Sequence, residues 1–166
     1  DESPLAAIQA LRNFMMGNST FISALFLLLG LLVGFYSSGF LNQNETTVFN
    51  IPISFIQISF NIFIITFCLL NFIFSLRFIT RLSLLISGNP KAYDNAEMKG
   101  ITITRKTFTS AQNHWMIGVR VLIYIIATLL WFIDAVLFIV SSILITLYLV
   151  IFQDFWVISH KKKNKK

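Results

Sequence analysis

The residues most able to do chemistry lie inside apolar runs. Between Ile53 and about Phe74, and one turn beyond, Gln57, Asn61, Cys68, Asn71 and Ser75 interrupt a stretch that is otherwise almost wholly hydrophobic. Their spacings of 4, 7, 3 and 4 put them on one stripe of a helix. Polar side chains in hydrocarbon cost several kcal/mol each unless they are paired. Such a stripe therefore faces either another helix, through amide hydrogen bonds of roughly 0.6–2 kcal/mol apiece, or a polar pathway. The first reading is expected and the second is its alternative. Gly30 and Gly34 form a small-x-x-x-small pair that allows close backbone approach. Gly30, Gly34, Gln57, Asn61 and Asn71 are thus the candidate helix–helix interface.

Cations make a second set. Arg12, Arg77, Arg81 and Arg120 fall at or just inside one membrane interface, where long side chains snorkel to head groups. Arg12, Asn13, Arg77 and Arg120 are the candidate anion or lipid head-group residues. Arg120, between Val119 and Val121, is the candidate for a buried guanidinium held by backbone carbonyls or by Asn13. Asp134 reads as a turn residue or helix N-cap, since a proton relay needs a partner at similar depth. Met15, Met16, Cys68, His114 and His160 do not form a metal-ligand pattern, so neither metal nor other cofactor is expected. No P-loop, nucleophile elbow, HExxH or CxxC is present, and no base, nucleophile and oxyanion set can be assembled. A non-enzyme is expected.

The elements that must position these residues follow from composition. Of 166 residues, 56% are apolar, 12% are charged, and the mean hydropathy is +0.76. Soluble domains carry about 25% charged residues, so a soluble globular domain is excluded. One Cys excludes a disulfide framework. The expected fold is all-α: a single membrane domain, 1–166, forming an integral helical bundle of about four transmembrane helices with an amphipathic N-terminal lead-in. Crossing a ~30 Å layer takes about 20 apolar residues. Spans are placed at about 20–36, 53–74, 117–133 and 135–152, with a cytoplasmic connection over 75–116 and a basic tail at 160–166.

Ser3 is read as an N-cap with Pro4 at the first helical position. Leu5, Ile8, Leu11 and Met15 give the lead-in its period, running continuously into the first span. Ser87-Gly88-Asn89-Pro90 ends the helix of the second span, and Ile101–Thr104 is read as a short extended piece. The 36 residues of Ile117–Phe152 would make a helix of roughly 54 Å, too long for one crossing, so a turn near Asp134 is expected.

That turn lets the positive residues of 75–116, the lysine tail and Arg12 share one side, while Ser37–Asn50 carries no positive residue. Both termini are accordingly expected in the cytoplasm. Trp115, Trp131 and Trp156 fall near span ends, and Asn44-Glu45-Thr46 is a sequon in the loop placed outside. The net charge of +6 favours anionic lipids as partners, and no nucleic-acid partner is expected. Position 1 is not Met, which leaves open whether a segment precedes it. No cleavable secretory signal begins at Asp1-Glu2.

Ala7-Ile8-Gln9-Ala10-Leu11-Arg12-Asn13-Phe14-Met15-Met16 resembles the "VQTLRNxxM" signature of the uncharacterised membrane family known as domain of unknown function 599. Phe72, Ser75, Leu76, Arg77 and Phe78 look like its "FxxSxRY" segment. Gly118-Val119-Arg120, with Tyr124 and Trp131, looks like its "GLRxxYxxxPLLLW" helix. The three matches fall in order over most of Leu5–Leu149. The resemblance implies a helical membrane protein with no established activity and points to Arg12, Asn13, Arg77 and Arg120. Its usual upstream membrane segment is not in this sequence. Its Pro before "LLLW" is replaced around Ala127-Thr128, and its Gly-Pro after the Trp by Ile133-Asp134. Together these readings favour an accessory or structural subunit of a larger membrane complex, of respiratory or copper-monooxygenase type, packed against other membrane subunits. The alternative is a small transporter or channel for a small solute or anion.

Overall fold

The computed structural model describes residues 4–38, 47–48, 51–87 and 100–151. It contains four helices: α1 (Pro4–Ser37), α2 (Ile53–Ser87), α3 (Gly100–Leu130) and α4 (Ala135–Leu149). A minimal antiparallel pairing of β1 (Thr47–Val48) with β2 (Ile51–Pro52) precedes α2, in the register Thr47↔Pro52 and Val48↔Ile51. The rest of the described chain is helical apart from Ser38 and the turn of Trp131–Asp134. Three helical stretches, Ile8–Ser37, Ile53–Ile86 and Gly100–Leu130, are long and apolar enough to cross a membrane, and α4 is a shorter apolar helix of 15 residues.

Local sequence accounts for the helix ends. α1 starts at Pro4, whose fixed φ and missing N–H suit the first helical position. Ser3, its expected cap, lies outside the described residues. The lead-in and the first apolar run are one continuous helix. α2 stops at Ser87, where the Gly-Asn-Pro sequence begins. α4 begins at the expected place: Asp134 sits in extended backbone and its carboxylate accepts from the Val136 N–H at 3.0 Å. This is an N-cap contact.

One expectation fails. Ile101–Thr104 is not extended but lies in the first turn of α3, which carries helix through the last part of the anticipated connection, from Gly100 onward. Alternating Ile and Thr suggested a strand. In the structure Thr104, Thr107 and Thr109 donate their hydroxyls to the carbonyls of Gly100, Ile103 and Arg105, four residues back. The β-branched residues are thus accommodated within the helix, and packing of Ala111 overrides their weak propensity.

The chain packs as two compact units. In the unit of 1–34 and 65–119, Ile79, Leu82 and Ala111 form a core onto which Leu11, Phe14, Met15, Phe78 and Ile86 pack. The apolar face of the lead-in is therefore used against α2 and α3. In the unit of 35–64 and 120–166, α3 passes through a tight turn at Trp131–Ile133 into α4. Trp131 stacks on Phe138 at 5.2 Å, and the Tyr124 hydroxyl meets the Thr146 hydroxyl at 2.9 Å. These contacts make α3 and α4 an antiparallel hairpin.

Buried positions along α2 show why it is central. Ser54, Ile58, Asn61, Ile65, Cys68, Phe72, Ser75, Ile79 and Leu82 are all buried. They recur at alternating steps of 4 and 3, the 3.5-residue period of a seam held against neighbouring helices. One register is mostly small or polar (Ser54, Asn61, Cys68, Ser75), and the other is apolar (Ile58, Ile65, Phe72, Ile79).

Candidate functional site

The polar register of α2 makes specific contacts in each unit. In the first, the Asn18 side-chain amide donates to Ser75 Oγ at 3.1 Å, joining α1 to α2. Both residues are buried, Asn18 with 1% of its surface exposed. Two turns away along α2 the Cys68 thiol donates to the Gly118 carbonyl of α3 at 3.3 Å. Gly118 is what permits this approach: a Cβ there would lie 3.2 Å from three atoms of the Phe72 ring. Phe72 in turn stacks on Phe21 of α1 at 5.3 Å.

Asn71 donates its amide to the Phe67 carbonyl at 2.9 Å and places Oδ1 3.2 Å from His114 Nδ1. Because Oδ1 only accepts, Nδ1 carries the proton in this contact. The imidazole is further fixed by stacking on Phe78 at 5.7 Å and a tilted contact with Phe74 at 5.5 Å. His114 is therefore an α2–α3 packing group.

In the second unit, Gln57 donates to the Trp131 carbonyl at 3.1 Å. Asn61 donates to the Gln57 carbonyl at 2.9 Å and to the Thr128 carbonyl at 3.4 Å. Thr128, in the last turn of α3, and Trp131, just past its end, lie where helical carbonyls run out of partners, the end that a helix in lipid must satisfy by other means. Thr128 O also accepts from the Trp131 N–H at 3.3 Å. The two amides of α2 thus tie down the backbone of the α3–α4 turn. Asn18 and Asn61 each retain a buried Oδ1 with no hydrogen-bond partner among the described residues.

Other sequence candidates are placed differently. A Cβ at Gly30 or Gly34 would meet nothing within 4 Å. Arg12, Asn13 and Arg77 are exposed, and Arg120 is half-buried rather than buried. Met16 is exposed, while Met15 is half-buried with its sulfur 3.8 Å from the Thr80 hydroxyl. Among the described residues no three His, Cys, Asp or Glu side chains converge as metal ligands. His160, Trp156, the sequon and the lysine tail lie outside the described residues.

Asn18 is the contact residue that sequence reasoning missed. A signal was present: Leu11, Asn18, Leu25 and Leu32 are spaced by seven, and the last three are buried. A lone Asn in such a seam is the usual register-fixing device.

Helices of this length and apolarity, with buried amides turned onto neighbouring helices, define a multi-span helical membrane protein. The chain belongs to the family described as "Protein of unknown function, DUF599", whose model matches residues 1–156. No curated protein and no solved structure matched it.

Proposed function

We propose that this protein is a non-catalytic accessory subunit that works by packing against other membrane proteins, with both termini in the cytoplasm and anionic lipids around its basic face. What supports the reading is how α2 uses its polar groups. Gln57, Asn61, Cys68, Asn71 and Ser75 all hydrogen-bond within the chain, to carbonyls and side chains of the described helices and turn. Groups so engaged hold helices in register and are not available to line a solute path. Gly30, where an added Cβ would meet nothing within 4 Å, gives α1 a surface that a partner helix can approach closely. Arg12, Asn13 and Arg77, all exposed, are the side chains offered to lipid head groups.

The test is blue-native electrophoresis of the full chain extracted in mild detergent, with copurifying proteins identified. Migration well above monomer size is expected, with loss of the larger species in Gly30→Leu/Gly34→Leu. Migration alone at monomer size overturns the proposal. The unpartnered Oδ1 of buried Asn61 is the one feature favouring a transporter. That reading is removed if Asn61→Ala leaves liposome flux unchanged.

A further inference from the structure

The described residues of the unit 1–34 and 65–119 carry Arg12, Arg77, Arg81, Arg105 and Lys106 but no Asp or Glu; Asp134, in the other unit, is the single described carboxylate. Two of these cations share a concavity. A cleft of about 240 Å³ between α2 and α3 is lined by Phe78, Arg81, Ile103, Lys106, Thr107 and Ser110. We propose that this cleft is a binding site for a phosphate-bearing anion, held by Arg81 and Lys106 with the Ser110 hydroxyl beside them.

The chemistry is specific in kind. A guanidinium offers a planar fork that matches two phosphate oxygens, and an ammonium supplies a second, pivoting donor. The Thr107 hydroxyl is already donated to the Ile103 carbonyl at 2.9 Å, so it serves the wall rather than the ligand. Phe78 is held by its stacking on His114 at 5.7 Å, which fixes one side of the cleft. The volume lies below the ~300–1,000 Å³ usual for drug-sized ligands, which suits a single head-group phosphate rather than an extended molecule.

Position along the helix agrees. α2 has 35 residues, roughly 52 Å at 1.5 Å each, against a ~30 Å hydrocarbon layer. The segment bearing Arg77 and Arg81 therefore reaches the head-group region or beyond. The phosphate is either a phospholipid's or that of a free anion, and the same donors serve both. The site does not rest on the subunit reading, since a solitary chain would retain it.

The test uses the full chain in phosphatidylcholine nanodiscs, with or without a minor fraction of phosphatidylglycerol. Native mass spectrometry measures retained phosphatidylglycerol, and calorimetry measures inorganic phosphate binding in the zwitterionic discs. Arg81→Gln is compared with Arg105→Gln, which removes the same charge outside the cleft. Both side chains are exposed, so both variants are expected to match the parent in far-UV spectrum and melting midpoint.

The expected result is at least about a tenfold loss of affinity in the first variant, from charge-assisted hydrogen bonds. The control should stay within about threefold, the scale of exposed charges. Phosphatidylglycerol retained against added phosphate assigns the site to lipid, and phosphate bound in zwitterionic discs assigns it to a free anion. Binding of neither, or equal losses in the two variants, overturns the proposal.

Discussion

Cys68, Phe72 and Gly118 show how little room the packing leaves. A methyl group at Gly118 would press on the Phe72 ring at 3.2 Å, and that ring is fully buried and stacked on Phe21. Two effects oppose each other in Gly118→Ala: a helix-propensity gain of about 1 kcal/mol and a steric cost of similar size. Gly118→Ala should therefore change stability little. Gly118→Val adds bulk without a better backbone and should cost about 1–3 kcal/mol by overpacking. Thermal unfolding of the two variants in the same detergent checks the difference, and a Val variant as stable as the parent would show that Phe72 can move. The Asn18–Ser75 pair calls for a cycle rather than a single substitution. Ser75→Ala leaves both ends of the buried Asn18 amide without a partner, and should cost about 1–3 kcal/mol. Asn18→Leu combined with Ser75→Ala removes both polar partners and should be close to neutral. The coupling expected in a membrane is about 0.6–1.7 kcal/mol, read from unfolding midpoints of the four proteins.

At the scale of elements, the α3–α4 turn is where local and tertiary signals agree. Asp134 was legible as an N-cap because no other acidic residue interrupts Ile117–Phe152, and the contact with the Val136 N–H realises it. Asp134→Ala should destabilise the hairpin by about 0.5–2 kcal/mol, with Asp134→Asn close to the parent. Hydrogen exchange at the first turn of α4 reports this directly. Gln57→Leu removes the side-chain donor to the Trp131 carbonyl and should loosen the same turn, through an element distant in sequence. The stripe on α2 was legible because its spacing is a helical one and its residue types are costly in lipid. Which partner each residue takes was not legible: a hydrogen bond between Asn71 and His114, 43 positions apart, depends on which faces of α2 and α3 meet. Nor was the start of α3. Alternation of Ile and Thr is a strand signal at short range, whereas Ile101 in the structure is 74% exposed on a helix. The glycine pair was legible as a close-approach face, but a sequence pattern carries no information on whether the approaching helix belongs to the same chain.

The arrangement of the whole molecule across a membrane turns on the reversal at Trp131–Asp134. α3 and α4 run antiparallel, as the Tyr124–Thr146 and Trp131–Phe138 contacts require. A chain that crosses on α3 and returns on α4 delivers its C-terminal lysines to the side from which α3 started. The sequence places Lys91 and Lys99 just before α3 and Lys161–Lys166 well after α4. Cations flanking spans favour the cytoplasmic side, so both groups are expected in that compartment. The alternative is that α4, with only 15 residues or roughly 22 Å of helix, lies within one leaflet and leaves the tail on the far side. Accessibility decides between them. Cys68 is the sole cysteine, and Cys68→Ala yields a background in which Lys99→Cys and Lys161→Cys can be labelled singly in sealed vesicles. Both positions should react with an impermeant maleimide only when it is supplied from the cytoplasmic side. Labelling of Lys161→Cys from the opposite side would mean that α4 does not return across the bilayer.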